Sequence, residues 1–327
     1  MPARSTRPWW TSPLADPSSD TRIAVFVDKV DWHARRLIAA FDARGVSAVP
    51  VAMRQCGFRI GGGGLALPGF EDGLPSGIFV RCIPGGSFEQ VTLRLGVLHA
   101  LRHSGVVVCN DARSVECCVD KSMTSFMLER AGVPTPRSWI CESADDARAI
   151  VGAEAAVGRP LVLKPLFGSQ GRGLALVERA SDLPQAEDVA GVYYLQRFVA
   201  GEPDRWRDWR LLVAGGQVIA AMTRHGTGWI TNAHQGARCE AVAPDDELSA
   251  MAVAAAATVG ADYAGVDVIR DRALGYQVLE VNSMPAWSAL QRVSTADITQ
   301  ALADAFLRRL GLDVDTGPTR RRAGSAV

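Results

Sequence analysis

Neither sign of charge prevails in this chain of 327 residues: Lys plus Arg and Asp plus Glu both number 35. No global field therefore argues for nucleic acid or an anionic membrane as a main partner. No apolar run is long enough to span a bilayer; the most apolar helix candidate, SAMAVAAAATVGA (249–261), is short and rich in alanine. The seven cysteines contain no C-x-x-C pair and follow nothing like a secretory leader, so a reducing cytoplasm is the expected compartment. Cys117 and Cys118 read as small buried residues beside a turn rather than as a redox pair. Two phosphate signatures are missing as well. There is no G-x-x-x-x-G-K-[ST] loop, and no G-x-G-x-x-G turn leading from a strand into a helix.

What is present has a clear order. The segment MPARSTRPWWTSPLADPSSD (1–20) and the basic end (315–327) lack periodicity and read as flexible tails. TRIAVFVDK, WHARRLIAAFDARG and SAVPVAM form a strand, an amphipathic helix closed by Gly45, and a second strand. GIFVRCIP and GVVVCND repeat the strand pattern around a helix at VTLRLGVLHALRHSG, so residues 21–115 predict a small parallel α/β domain. The glycines at 61–64 read as a hairpin tip or surface loop. Asp120 caps a further helix that Gly132 ends, with Pro134 and Pro136 preventing its continuation. From YYLQRFV onward the pattern is strand-rich, interrupted by the alanine-rich helix, and it closes with a helix over 295–310.

Two constellations carry chemistry. In PLVLKPLFGSQGRGLALVE the glycines are flanked by strands on both sides, so the loop predicts a hairpin lid whose backbone N–H groups meet phosphate oxygens, with Lys164 aimed at the same anion. A plain glycine-rich hairpin is the competing reading. In YQVLEVNSMPAW, Glu280 and Asn282 are two apart on a strand and share a face opposite Leu279 and Val281. Asp267, in AGVDVIRD, is a carboxylate among apolar residues that needs a partner. Two carboxylates and an amide oxygen make a hard, all-oxygen site suited to Mg2+ with nucleotide phosphates; the alternative pairs Asp267 with Arg270 or Arg272. Trp229 and Trp287 read first as packing and second as the wall of an acceptor pocket.

The segments DKSMTSFMLERAGVPTPRS, PLVLKPLFGSQGRG, YLQRFV, DWRLLVAGGQVIAAMTRHGTGWITNAHQGA, AGVDVI and LEVNSMPAW resemble, in order and spacing, the motifs of ATP-grasp ligases of the RimK type. The resemblance implies an ATP-grasp fold, α/β and α+β. It comprises the N-terminal parallel domain, a central lid subdomain over 116–192 and a C-terminal α+β catalytic subdomain over 193–314. It implies carboxylate–amine ligation through an acyl phosphate, with ATP and Mg2+, or Mn2+ in its place. Carried over by position, Lys121 and Lys164 resemble the phosphate lysines, and Gly168, Ser169, Gln170, Gly171 and Gly173 the lid. Gln196 and Arg197 match the hinge beside adenine, where the family often has Glu at the second position, and Asp208 matches a residue near the ribose. Asp267, Glu280 and Asn282 match metal ligands. Arg210, Arg224, Asn232 and His234 match positions around the transferred phosphoryl group and the substrates, and H-Q-G-A at 234–237 replaces the family's H-R-G-G. Arg224 is the candidate for stabilising the phosphoryl group in transit, against the alternative of a surface ion pair.

By the same resemblance the amine donor is L-glutamate and the acceptor a small-molecule carboxylate, a methanofuran-like or tetrahydromethanopterin-like carrier. The competing expectations are a ribosomal, peptide or carrier-protein acceptor, and a non-catalytic ATP-binding protein of the same fold. No nucleic acid or membrane partner is expected, and homo-oligomers are frequent in the family.

Overall fold

The structure, a computed structural model, describes residues 21–62, 64–168, 171–201, 206–233 and 236–312. Both expected tails, 1–20 and 315–327, lie outside these. The chain begins with β1 (Arg22–Val27), α1 (Trp32–Asp42) and β2 (Ser47–Ala52), followed by the hairpin β3 (Gly57–Arg59) and β4 (Gly64–Ala66). β5 (Gly77–Val80), α2 (Phe88–His103), β6 (Val107–Cys109), α3 (Ala112–Val119) and α4 (Lys121–Arg130) come next. Then come β7 (Ser138–Cys141), α5 (Ala144–Ala155), β8 (Leu161–Lys164), β9 (Ala175–Val177) and β10 (Tyr193–Arg197). The remainder is β11 (Arg207–Ala214), β12 (Gln217–His225), β13 (Arg238–Ala241), α6 (Asp246–Thr258), β14 (Tyr263–Asp271), β15 (Gly275–Asn282), α7 (Ser288–Val293) and α8 (Ile298–Arg309).

The first sheet has the order β2-β1-β5-β6 and is parallel throughout, as alternating strands and helices require. Its helices start where polar caps allow. Asp31 accepts from the Ala34 N–H to open α1, and Ser87 with Gln90 forms a reciprocal box that starts α2 three residues before the apolar periodicity suggests. Of the glycine run, Gly61 and Gly62 lie between the strands of the β3–β4 hairpin, and Gly64 opens β4 opposite Arg59.

Two antiparallel sheets follow, β7-β10-β8-β9 and β13-β12-β11-β14-β15. One face of the larger sheet, including Leu211, Val213, Val266 and Val278, is buried against Leu248, Ala252 and Ala255 of α6. Small side chains let that helix approach the strands closely. On the opposite face, Leu212, Ala214 and Tyr263 join a core shared with α1, α8 and the parallel sheet. Asn110 cements this junction: its amide donates to the Tyr263 and Ser283 carbonyls at 2.7 and 2.5 Å and accepts from the N–H of Asp262 at 2.7 Å.

Two short helices lie outside the expectations. Cys117 and Cys118 belong to α3, which is short and opens on Asp111 inside an apparent loop; burial pushes the Cys118 thiol up to about 12. The closing helix expected over 295–310 is α8, started by Asp297, which accepts from the Thr299 and Gln300 N–H groups, and the short α7 precedes it.

Candidate active site

A cleft opens between the two antiparallel sheets. Lys121 enters it from the N-terminus of α4, Lys164 from the last position of β8, Asp208 and Arg224 from β11 and β12, and Asp267 and Glu280 from β14 and β15. The glycine loop joins β8 to β9 as a true antiparallel hairpin, Leu161 opposite Val177, so the incoming and outgoing strands are as expected. Gly171 and Gly173 sit at φ +69° and +72°, a region closed to most side chains, which accounts for glycine at those turns. Lys121 Nζ donates to the Gly168 carbonyl at 2.9 Å, tying the loop to α4. Ser169, Gln170 and His234 lie outside the described residues.

Both lysines are held below their ordinary range. Burial is the main cause; it brings Lys164 to about 8, with Lys121 adding to the fall and Glu280 and Asp267 opposing it. Lys121 is lowered by burial against the pull of Glu280 and Asp120. Gln196 is 2% exposed and accepts from Lys164 Nζ at 2.6 Å while its amide donates to Ser138 Oγ at 3.1 Å. Arg197, its neighbour, turns to the other side of β10 and forms a fork with Glu154 of α5 at 2.7 and 2.8 Å. The guanidinium of the residue expected beside adenine is therefore committed to Glu154.

At the far end of the cleft, charges alternate across the strands. Arg224 stands opposite Asp208, and Arg210 opposite Asp267, which in turn is opposite Glu280. Arg224 donates to both Asp208 oxygens at 2.6 and 2.5 Å and reaches Asp267 at 3.2 Å. Arg210 donates from Nε and Nη2 to the two oxygens of Asp267, the second at 2.7 Å. Arg224 and Asp208 are each 4% exposed, so the surface ion pair weighed for Arg224 does not exist. Asp208, expected near a ribose, commits both oxygens to Arg224. The partners weighed for Asp267 are also corrected: Arg270 stacks on Tyr276 instead, 5.4 Å from its centroid.

Burial opposes the charge of Asp267, but Arg210 and Arg224 outweigh it and hold the carboxyl below its usual range. Glu280 goes the other way. Burial and Asp267 raise it, against Lys121, Arg210 and Lys164, and it makes no hydrogen bond among the described residues. Leu279 lines the same cleft, against the expectation that it faces away, because a bulge between Asp267 and Val268 leaves it without a partner on β14. Asn282, next on the Glu280 face, donates from Nδ2 to the Gly265 carbonyl at 3.4 Å, and its amide oxygen takes no bond among the described residues. An unpaired carboxylate, a second carboxylate and a free amide oxygen on adjacent strands form a donor set that fits a hard divalent cation.

Trp229 lines the cleft, as its second reading had it, together with Phe198 and Trp206, which the sequence pattern did not single out; Phe198 is central, 6.2 and 6.0 Å from the Trp206 and Trp229 ring centroids. Trp287 is core, 1% exposed, with Arg81 above its ring and its indole N–H donating to Thr299 Oγ1. Asn232 lines the cleft; Arg210 lies behind Asp267.

Comparison with known proteins adds to this geometry. A RimK-like ATP-grasp domain matches residues 118–306. The chain is 37% identical over 235 residues to tetrahydromethanopterin:alpha-L-glutamate ligase of Methanococcus maripaludis, covering 70% of this chain and 78% of that protein. It is 29% identical over 209 residues to the alpha-aminoadipate–LysW ligase LysX of Saccharolobus solfataricus, covering 61% and 74%. Among solved structures, the ATP-grasp ligase PsnB complexed with minimal precursor, Mg and ADP has a similar fold, with a TM-score of 0.68 at 23% identity over 89% of this chain and 99% of that one.

Proposed function

We infer the activity from a plain premise: the chain belongs to the RimK-like ATP-grasp family, whose members named above are ligases. It is an ATP-dependent carboxylate–amine ligase that activates an acceptor carboxylate as an acyl phosphate and joins it to the amine of L-glutamate. The acceptor is a small carrier of the tetrahydromethanopterin kind. The single observation that carries the chemistry is the charge arrangement of the cleft, whose described lining holds Lys121, Lys164, Arg172, Arg197, Arg207 and Arg224 against Asp208, Asp267 and Glu280, with Arg210 behind Asp267. Cations outnumber carboxylates among these residues, and one carboxylate is raised toward its neutral form, which suits a polyanion.

A carboxylate does not react with an amine while its leaving group is oxide; transfer of the γ-phosphoryl group makes the leaving group phosphate. Catalysis is then chiefly positioning and charge neutralisation. Lys164 and Lys121 bind the phosphates, and the loop over 165–174 covers them and keeps water from the acyl phosphate. Leu279, Val162 and Phe198 supply an apolar bed for the base, with Gln196 holding Lys164 in place. Asp208 fixes Arg224, whose charge is held up because Asp267 and Asp208 outweigh the cost of burial, and Arg224 stabilises the phosphoryl group in transit. Asn232, beside Trp229 on the cleft wall, belongs to the substrate end. Asp267, Glu280 and Asn282 would hold Mg2+, which when bound neutralises charge between the phosphates.

The likeness to the methanogen enzyme supports glutamate as donor and a small carrier as acceptor; the weaker likeness to LysX supports a carrier-protein acceptor as the second reading. The test is incubation with Mg-ATP, isotopically labelled glutamate and fractionated cell extract. The expected result is an added glutamyl mass on a small molecule with release of ADP. Label entering only protein would favour the second reading, and ATP binding without turnover for any amino acid would remove the ligase reading.

A further inference from the structure

The two arginines at the metal end are held very differently. Arg224 has its own partner: both Asp208 oxygens accept from it, and the Thr231 hydroxyl holds Asp208 in turn. Among the described residues Arg210 hydrogen-bonds to Asp267 alone. Its Nη1 lies over Gly265, 3.0 Å from the point where a Cβ would stand, so the absence of a side chain there is what gives its guanidinium room.

An ionised carboxylate has about four acceptor positions. On Asp267, Oδ1 accepts from the Arg210 Nε and lies 3.2 Å from the Arg224 Nη2, and Oδ2 accepts from the Arg210 Nη2. About one position remains, and it borders the guanidinium. Glu280, directly across on β15, takes no hydrogen bond among the described residues. A divalent cation can reach Glu280 freely, but beside Asp267 it meets a positive charge that already holds the oxygens it requires.

We propose that Arg210 is a latch on the metal carboxylate, released only when a divalent cation and a triphosphate arrive together, so that neither binds well alone. This rests on the ligase reading of the cleft. If Arg210 leaves Asp267 with nothing to meet it, an unpaired guanidinium is stranded in a site where its side chain is 15% exposed, which is strongly unfavourable. A phosphoryl anion removes that cost by taking the guanidinium, while the cation takes the vacated oxygens. Each ligand therefore improves the site for the other, and the coupling is reciprocal. Arg224, anchored by Asp208, stays in place throughout. The latch makes Arg210 a positioning residue that reaches the phosphoryl group only in the loaded cleft.

The test follows Mn2+ by electron paramagnetic resonance in the nucleotide-free protein. Arg210→Lys keeps the charge but removes the fork, and is expected to tighten Mn2+ binding by about tenfold. Arg210→Gln should tighten it further and gives the same reading if the lysine variant fails to fold. Arg207→Gln, which removes a cleft cation that lies over Trp209, is the charge control and should change the affinity by less than about threefold. Loss of fold would weaken binding, so tightening cannot come from damage. Unchanged or weaker Mn2+ binding in both Arg210 variants, with binding to the wild-type protein in the presence of AMPPNP intact, overturns the latch alone. Failure of the wild-type protein to add any Mn2+ site to that of free AMPPNP overturns the ligase reading of the cleft and the latch with it.

Discussion

Along one face of β11 the side chains run Asp208, Arg210, Leu212, Ala214, and the two halves of that run belong to different physical regimes. Leu212 and Ala214 are 1% and 0% exposed and pack with Tyr263, Trp287 and the inward side of α8. That half stabilises the fold by removing apolar surface from water, at roughly 25 cal/mol per Å². Arg210 and Asp208, one and two pleat repeats before Leu212, take charges out of water, and their ion pairs do little more than offset the desolvation. An apolar row would hold the strands together at least as well. The same strand thus serves stability at one end and chemistry at the other, and the chemistry is located where burial is least favourable.

The sharpest way to break this comparison is Glu280→Gln. It keeps the shape, removes an unpaired charge that burial disfavours, and is expected to lower turnover by on the order of 10²- to 10³-fold while leaving the melting temperature unchanged or higher. A matched loss of stability would show that Glu280 belongs to the fold rather than to the chemistry. Leu302→Ala, in the apolar half, should do the reverse. Leu302 is 1% exposed on α8, and its truncation should cost about 2–5 kcal/mol in urea unfolding, with ATP turnover per folded molecule retained.

The two halves were not equally legible in the sequence. Strands and helices of the parallel sheet follow from periodicity and caps, because apolar runs such as RIAVFV and GIFV have no other buried use. Asp267, Glu280 and Lys164 were legible because a charge inside an apolar strand demands an explanation. Their true partners were not. Arg210 and Arg224 reach Asp267 through strand register, which depends on how β11, β12 and β14 align across more than 40 intervening residues, and no local pattern encodes that. The bulge that turns Leu279 into the cleft is a one-residue shift of the same kind, invisible in an alternating run. Asn110 escaped notice for a similar reason: its four backbone partners lie in segments far along the chain.

A gentler probe acts through Lys164, which faces the charged half from β8 of the other sheet. Its ammonium is brought from an ordinary 10.5 to about 8, chiefly by burial, so the folded protein releases this proton at lower pH than the unfolded chain does. Between about 8 and 10.5 the unfolded state therefore binds more protons, and stability from this group rises with pH across that window. Below pH 8 the charge is a fixed cost of the empty cleft. Nucleotide reverses the balance, since phosphate favours the charged form and holds the proton to higher pH. Urea unfolding of the nucleotide-free protein between pH 7.5 and 10 should show this rise for the wild type and lose it in Lys164→Met, which should be the more stable of the two at pH 7.5. In AMPPNP the wild-type rise should flatten. If the methionine variant instead keeps the same slope, the pH dependence comes from elsewhere, and Lys164 sits in the cleft without being strained by it.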